Sequence, residues 1–500
     1  MKRILISTLT SATVAAVLLS PLAHATNGYF KIGGGAKNKG LAGAGIAYGQ
    51  DAVAGATNPA TLAGIGTRID AGAEVFKPKR RGVVDASGIG GLRSEQSSRS
   101  NTYLIPQFGT AKVINDKITM GLAVTANGGM NTRYGDADAP SPLFPPQSGI
   151  GVGNIYTDAF APAIPGFVSL VAQQLVAQGV APDLPTALAV VGSNAAALGQ
   201  NPNITPALGI NLAQALITPT ITYKFNDNHA VGFGPVIGWQ RFRDYGLGLF
   251  QAFSDRPDKV TNNGNDISVG YGARIGYQGT FFDMFSVGAV ATSKIYMDKF
   301  DDYAGLFAEQ GDFDIPATFG GGVAIHFSPR LTLAADVSRI LYGDVDSLAN
   351  KGPSADEFFA AFGNALATAN GSLLTNALGK NDGWGFGWDD VWVYRIGVDY
   401  AYNNKWTLRA GFNYAEVPFD DDQALFNVLA PAVVEKHVTA GFTYSPGQNS
   451  EITVAYMHAF RNSVDNTYTG TVPGVPTPLS YGAKNDMYQN SIEASYAWKF

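Results

Sequence analysis

Beyond its first 25 residues the chain has four histidines, His229, His326, His437 and His458, and a hydrolytic centre would need one of them beside a nucleophile and an orienting carboxylate. His326, His437 and His458 have no Ser or acidic residue at motif spacing, and His229 adjoins the turn residues Asn226, Asp227 and Asn228. Neither His-Glu-x-x-His nor Gly-x-Ser-x-Gly occurs. Gly43-Ala44-Gly45 does not follow a strand, which argues against a nucleotide-binding loop. With no cysteine, neither a thiolate metal site nor a disulfide is available. Asp301-Asp302 and Asp420-Asp421-Asp422 are the remaining candidates for calcium, but acidic loop tips are usually just solvated. These residues predict no enzyme, no cofactor and no metal. The candidates left are cations: Arg274, Arg395 and Arg409 would suit a carboxylate if they face an interior, or else pair with acids such as Asp399 and Glu493.

The elements that place them are strands. From Met487 to Phe500, Tyr488, Ile492, Ala494, Tyr496, Trp498 and Phe500 alternate with Gln489, Ser491, Glu493, Ser495 and Lys499. A soluble core would favour branched aliphatics on the apolar face, whereas aromatics near a strand end suit a membrane interface. Fourteen such runs are expected, near 67–77, 102–114, 117–127, 216–226, 229–241, 267–279, 285–296, 314–328, 331–343, 390–402, 405–416, 433–445, 451–462 and 487–500. After the second run, every other connection is short and rich in Asn, Asp, Ser or Pro, and the rest are long, the asymmetry of a bacterial outer-membrane barrel. The phase puts Arg274, Arg395 and Arg409 inside. An edge strand of a soluble β-domain is the competing reading of the last run.

Lys2 and Arg3 precede an apolar run from Ile4 to Leu19, and Ala23-His24-Ala25 offers a cleavage site, so residues 1–25 are expected to be a signal peptide. Its removal takes away two positive charges, moving the formal balance from −6 to −8, and no basic tract remains to bind nucleic acid. No later window holds the uninterrupted apolar run of a membrane helix, so spanning must be done by strands. The expectation is an all-β protein: a 14-stranded antiparallel transmembrane β-barrel over 67–500 in the outer membrane of a Gram-negative bacterium.

Two external loops, 128–215 and 344–389, are expected to be partly helical. Phe167, Leu170, Val171, Leu184, Leu188 and Val191 recur at helical spacing, as do Phe358, Phe359, Phe362 and Leu366 within a stretch from Asp356 to Leu378. Such charge-poor helices form either a cap with its own core or a docking surface for apolar ligands. Residues 26–66 hold eleven glycines, too few large residues for a core of their own, and are expected to form a plug in the lumen.

The run from Asn38 to Asp51 (NKGLAGAGIAYGQD), followed by Asn58-Pro59-Ala60, resembles the N-terminal hatch of the FadL/TodX-type transporters of long-chain fatty acids and hydrocarbons. Gly121, then Asn127-Gly128-Gly129-Met130 and Thr132-Arg133-Tyr134, is similar to that family's third strand with its kink. The resemblance implies passive uptake of hydrophobic molecules: capture at extracellular loops, hatch movement, and lateral release through a wall opening at the kink. It implies that Asn58, Pro59 and Ala60 meet the kink at Asn127, Gly128 and Gly129. Tyr29 and Phe30 would line the substrate pocket, with Arg274, Arg395 or Arg409 taking a carboxylate. Long-chain fatty acids are the expected cargo, with aromatic hydrocarbons the alternative, and a barrel lipase or a plain porin further off. Lipopolysaccharide and other outer-membrane lipids would surround a single barrel, and Phe500 would be read by the barrel-assembly machinery. The longest external loop follows the third strand, whereas the family's capture groove uses later loops, so the docking residues stay open.

Overall fold

The computed structural model describes residues 27–135, 154–199, 201–472 and 474–500; the expected signal peptide lies outside the described residues. Fourteen antiparallel strands close a barrel: β1 (Arg68–Asp85), β2 (Tyr103–Val113), β3 (Ile118–Asn131), β4 (Gly209–Asn226), β5 (His229–Tyr245), β6 (Asp266–Phe281), β7 (Phe285–Thr292), β8 (Thr318–Ser328), β9 (Leu331–Ile340), β10 (Val391–Ala401), β11 (Trp406–Ala415), β12 (Lys436–Gly447), β13 (Ser450–Gly470) and β14 (Leu479–Lys499). Closure is made by β14 on β1, in register from Arg68 opposite Lys499 to Asp85 opposite Gly482. Two short strands sit outside this cycle: Arg93–Ser97 folds back on the outer end of β1, and Tyr296–Met297 pairs with β6.

Alternation decides which way each strand faces. Along β10, Tyr394, Ile396, Val398 and Tyr400 are exposed on the lipid side, and Leu408 and Phe412 of β11 continue the band. Their neighbours Asp399, Arg409 and Asn413 are buried in the lumen. All fourteen expected runs are strands, but β1, β4, β13 and β14 extend well beyond them at the outer end. The apolar outer face stops where lipid stops, while the hydrogen-bond ladder continues with its outer face in water and its inner face, Val84, Ile210, Leu212 and Tyr481 among it, packed on the apolar core above.

The outer end is closed by loops with one shared apolar core. Helices α1 (Ile164–Ala177), α2 (Leu184–Gly199) and α3 (Ala355–Thr368) pack together there, Phe167 lying 6.0 Å from Phe359 and 5.3 Å from Phe362 between ring centroids. The core runs without a break into Tyr134, Phe242, Trp388 and Phe426, so these helices form a cap continuous with the barrel mouth. Helix α3 starts on a capping box between Ser354 and Glu357 and stops at Ala369, whose φ of 52° is left-handed. The helical stretch expected as far as Leu378 is thus shorter, because Asn370 turns the chain into a separate 3-10 turn, Gly371–Leu373.

Candidate functional site

The N-terminal segment lies inside the barrel, fixed to the wall by buried charge. Glu74 on β1 and Glu493 on β14 are neighbours in register and point inward. Lys31 Nζ sits 3.0 Å from Glu74 and 3.5 Å from Glu493; Lys39 pairs with Glu74 and lies 3.3 Å from Glu493. Lower down, Lys37 is 2.6 Å from Glu451, which also accepts Arg68 at 2.9 Å. On the far wall, Asp336 of β9 accepts the backbone N–H groups of Gly45 and Ile46 at 2.7 and 2.9 Å. Asp51 caps a 3-10 turn, Ala52–Ala56, through the N–H groups of Val53 and Ala54. Burial, with Asp70 nearby, pushes the Asp51 carboxyl up to about 7 against the opposing pull of Lys37 and Arg68.

Lys31, Lys37 and Lys39 were not among the expected site residues. The sequence did carry a signal: apart from Asp51 they are the only charged residues in 26–66, and Glu74, Glu451 and Glu493 sit on the inward phase of their strands.

The wall is incomplete between β2 and β3. These strands pair only from Phe108 opposite Val124 to Val113 opposite Thr119, although β2 continues beside β1 up to Tyr103. Beyond Val124, β3 parts from β2 while staying paired with β4 as far as Asn131. The exposed-and-buried alternation of Met120 and its neighbours ends there, and Ala123 to Asn131 are buried or half-buried whatever their phase. A bulge falls at Asn127, where the register on β4 shifts between Ala126 and Gly128. The outer margin of the opening is held by Arg99 N–H donating to Arg133 O at 2.8 Å.

The inward-bent part of β3 is covered by the N-terminus itself. Phe30 bridges to Gly128, Lys31 N–H donates to Asn127 O at 2.9 Å, and Gly129 N–H donates to Tyr29 O at 3.2 Å. A Cβ on Gly128 would collide with the Tyr29 carbonyl, so glycine is required by this approach. The expectation that Asn58, Pro59 and Ala60 meet the kink is therefore corrected. Asn58 Nδ2 donates to Tyr277 O of β6 at 3.0 Å, and Pro59 O accepts from Thr222 of β4 at 2.6 Å. Bare backbone at Gly232 and Gly276 makes room for this element on the β5 and β6 wall. Tyr29 to Lys31, whose backbone can complete the ladder that β2 leaves open, takes the place at the kink.

Behind the opening lies a cavity of about 170 Å³. It brings together Phe30, Asn127, Arg274 and Arg395, with Leu216 and Phe319 among its apolar lining. Arg274 Nε donates to Thr292 Oγ1 at 2.8 Å and its Nη1 to Ala56 O; Arg395 Nη1 donates to Ser338 Oγ at 2.7 Å. Neither guanidinium has a carboxylate within ion-pair distance among the described residues. Arg409 stands apart, its Nε 2.8 Å from Asp399 Oδ2 and 2.9 Å from Gln50 Oε1. Above the cavity Tyr29 is fully buried in an aromatic layer, its ring 5.5 Å from Tyr342 and 5.9 Å from Trp388. A smaller apolar cavity of about 40 Å³ opens beyond that layer among Met130, Phe242, Phe250, Phe307, Trp384 and Phe426.

Closed barrel, inward-bent third strand and lumen-filling N-terminus now stand beside a sequence match. The family model described as outer membrane protein transport protein (OMPP1/FadL/TodX) matches residues 207–498. The chain belongs to this family. The FadL/TodX fold is equally clear in solved structures. The toluene transporter TodX of P. putida is similar at 18% identity with a TM-score of 0.59, covering 94% of this chain and 99% of that one. The toluene transporter TbuX of Ralstonia pickettii (16%, 0.55, with 94% and 99% covered) and a FadL homologue of Pseudomonas aeruginosa (15%, 0.57, with 95% and 100%) share the same architecture. No curated protein matches by sequence. The protein is thus an outer-membrane barrel of a family that transports hydrophobic molecules.

As a candidate hydrolase, this FadL/TodX member offers His326, with Ser286 Oγ at 3.2 Å and Thr332 Oγ1 at 3.0 Å, near the short β8–β9 turn and with no orienting carboxylate among these partners. Among the described residues, no group of His, Asp and Glu side chains is arranged to hold a metal, the Asp301 and Asp420 loops included.

Proposed function

We propose that this protein passively admits long-chain fatty acids, taken up at the cap, passed through the aromatic layer to the cavity, and released sideways through the opening between β2 and β3. The observation that carries the proposal is the coincidence of three features at one place: a wall break, the covering segment Tyr29–Lys31, and a cavity in which Arg274 and Arg395 have no carboxylate partner among the described residues. An apolar tail gains by leaving water, and a carboxylate gains from two guanidinium groups in a low-dielectric lumen. Residues 26–66 act as the hatch, with movement of Tyr29–Lys31 away from Asn127–Gly129 opening the route. Lateral exit delivers the cargo to the membrane and avoids a water-filled pore, which offers apolar solutes no favourable binding.

Aromatic hydrocarbons are the second candidate cargo. The upper cavity is lined almost wholly by aromatic and aliphatic side chains, as an uncharged ring would need. Uptake of labelled oleate and of labelled toluene by cells whose only transporter is this protein separates the two. Oleate uptake abolished by closing the wall supports the proposal; toluene uptake alone would overturn the cargo, and unchanged uptake of both would overturn the route.

A further inference from the structure

The barrel exterior carries a second recess unrelated to the lumen. It has a volume of about 350 Å³ and lies across β13, β14, β1 and the loop after Arg93–Ser97. Its cations are Lys79, Arg80, Arg81 and Arg461, with Asp486 the only acid in the lining. Arg81 is held by Glu95 at 2.7 Å, while Arg461 is 3.7 Å from Asp486 and 5.3 Å over the Tyr488 ring. Arg80 is buried, its Nη2 donating to Ser100 O and to the Tyr103 hydroxyl, and its Nε has no hydrogen-bond partner among the described residues. The Lys79 side chain is exposed and, among the described residues, forms no ion pair or hydrogen bond, and the exposed Lys77 side chain, next on the same face, forms none either.

Height decides what such a recess meets. On the outward face of β14, Trp498, Tyr496, Ala494 and Ile492 lead up from the periplasmic end; Asn490, opposite Lys77, marks the upper margin of this apolar run, and Tyr488 above it lies opposite Lys79. At about 3.3 Å per residue and a tilt near 40°, the climb from Trp498 to Tyr488 is roughly 25 Å, the height of the apolar band of such barrels. The recess begins where that band ends, on the outer side. Unpaired lysines there are costly against acyl chains and favourable against anionic head groups.

We propose that this recess seats a phosphate of an outer-leaflet glycolipid, with Lys79 and Arg461 as its principal cations, the exposed Ile492 and Tyr456 below it meeting the acyl chains and exposed Phe460 flanking it. Commitment to a lipid follows from that continuity: a free phosphate would have no use for an apolar apron directly beneath its cations.

The test uses the full-length protein in detergent micelles and measures retention of bisphosphorylated lipid A, dephosphorylated lipid A and inorganic pyrophosphate by native mass spectrometry and titration. Bisphosphorylated lipid A is expected to bind tightest, and K79Q/R461Q to weaken it roughly thirtyfold, as two cations at an anionic surface predict. Asp486→Asn, which frees Arg461, is expected to strengthen binding and serves as the second variant should the double substitution fail the heat-modifiability check for a folded barrel. Equal binding of dephosphorylated lipid A, or pyrophosphate binding as tight as the lipid, would overturn the proposal. So would lipid binding unchanged in both variants.

Discussion

Replacing Glu493 by Gln should loosen the N-terminal segment without unfolding the barrel. Glu74 and Glu493 face Lys31 and Lys39 in a buried cluster of two acids and two bases, all four side chains at most 5% exposed. Removing one acid leaves two ammonium groups sharing one carboxylate, a buried charge without compensation. Breaking such a pair costs about 3–5 kcal/mol, and the lower figure alone corresponds to a factor of roughly 10² in an equilibrium. The barrel does not share the whole cost, because the β1–β14 ladder runs on for many residues either side of Glu493. The assay is hydrogen exchange on residues 29–45 of purified protein, with heat-modifiability as the check on the barrel. Exchange is expected to rise by about 10² in that segment and little in β13 or β14. Replacing the partners together by apolar residues, K39M/E493L, should recover part of the protection, since an apolar pair of similar volume carries no desolvation cost. Glu493→Gln with unchanged exchange at 29–45 would refute the claim that these charges hold the segment in place. A loss of protection spread evenly over the barrel would refute it equally.

Other outcomes follow from the same geometry. Gly128→Val should detach Tyr29–Lys31 from β3, because its Cβ meets the Tyr29 carbonyl, and hydrogen exchange at the Lys31 and Gly129 amides, which bridge the two, should rise accordingly. Arg274→Ala with Arg395→Ala should cut oleate uptake at least about tenfold, the loss expected from two charge-assisted contacts of 1.5–3 kcal/mol each, while leaving toluene uptake within a factor of about two. The Asp51 carboxyl is raised to about 7 in the folded protein, so its stabilising contribution is complete below its unfolded value near 3.8 and is lost as pH rises through about 7. Protease sensitivity of the N-terminal segment should therefore increase between pH 5 and pH 8, and Asp51→Asn, which keeps the cap, should flatten that dependence.

Sequence alone determined the barrel, because lipid on one side and water or packed polar groups on the other impose a period of two that fourteen separate strands each display. It likewise determined the inward phase of Arg274, Arg395 and Arg409, and the helical character of 167–171, 184–191 and 358–366, although on the second of these helices Ala187 and Val191 are buried while Leu184 and Leu188 are exposed. The bulge at Asn127 was legible through its glycines. What tertiary structure decided was partnership. Nothing local to Asn58-Pro59-Ala60 says which stretch of wall has the bare glycine backbone to receive it, and that lies on β5 and β6, far from the kink in sequence. Nor does Tyr29–Lys31 announce that its N–H and C=O groups will fill the ladder β2 leaves unpaired. The split of the three arginines, with Arg409 neutralised by Asp399 and the other two facing a cavity, depends on side chains from strands and segment meeting in three dimensions. Periodicity is a property of one strand in its solvent; a site is a property of elements brought together by closure of the barrel, and only the closed structure shows it.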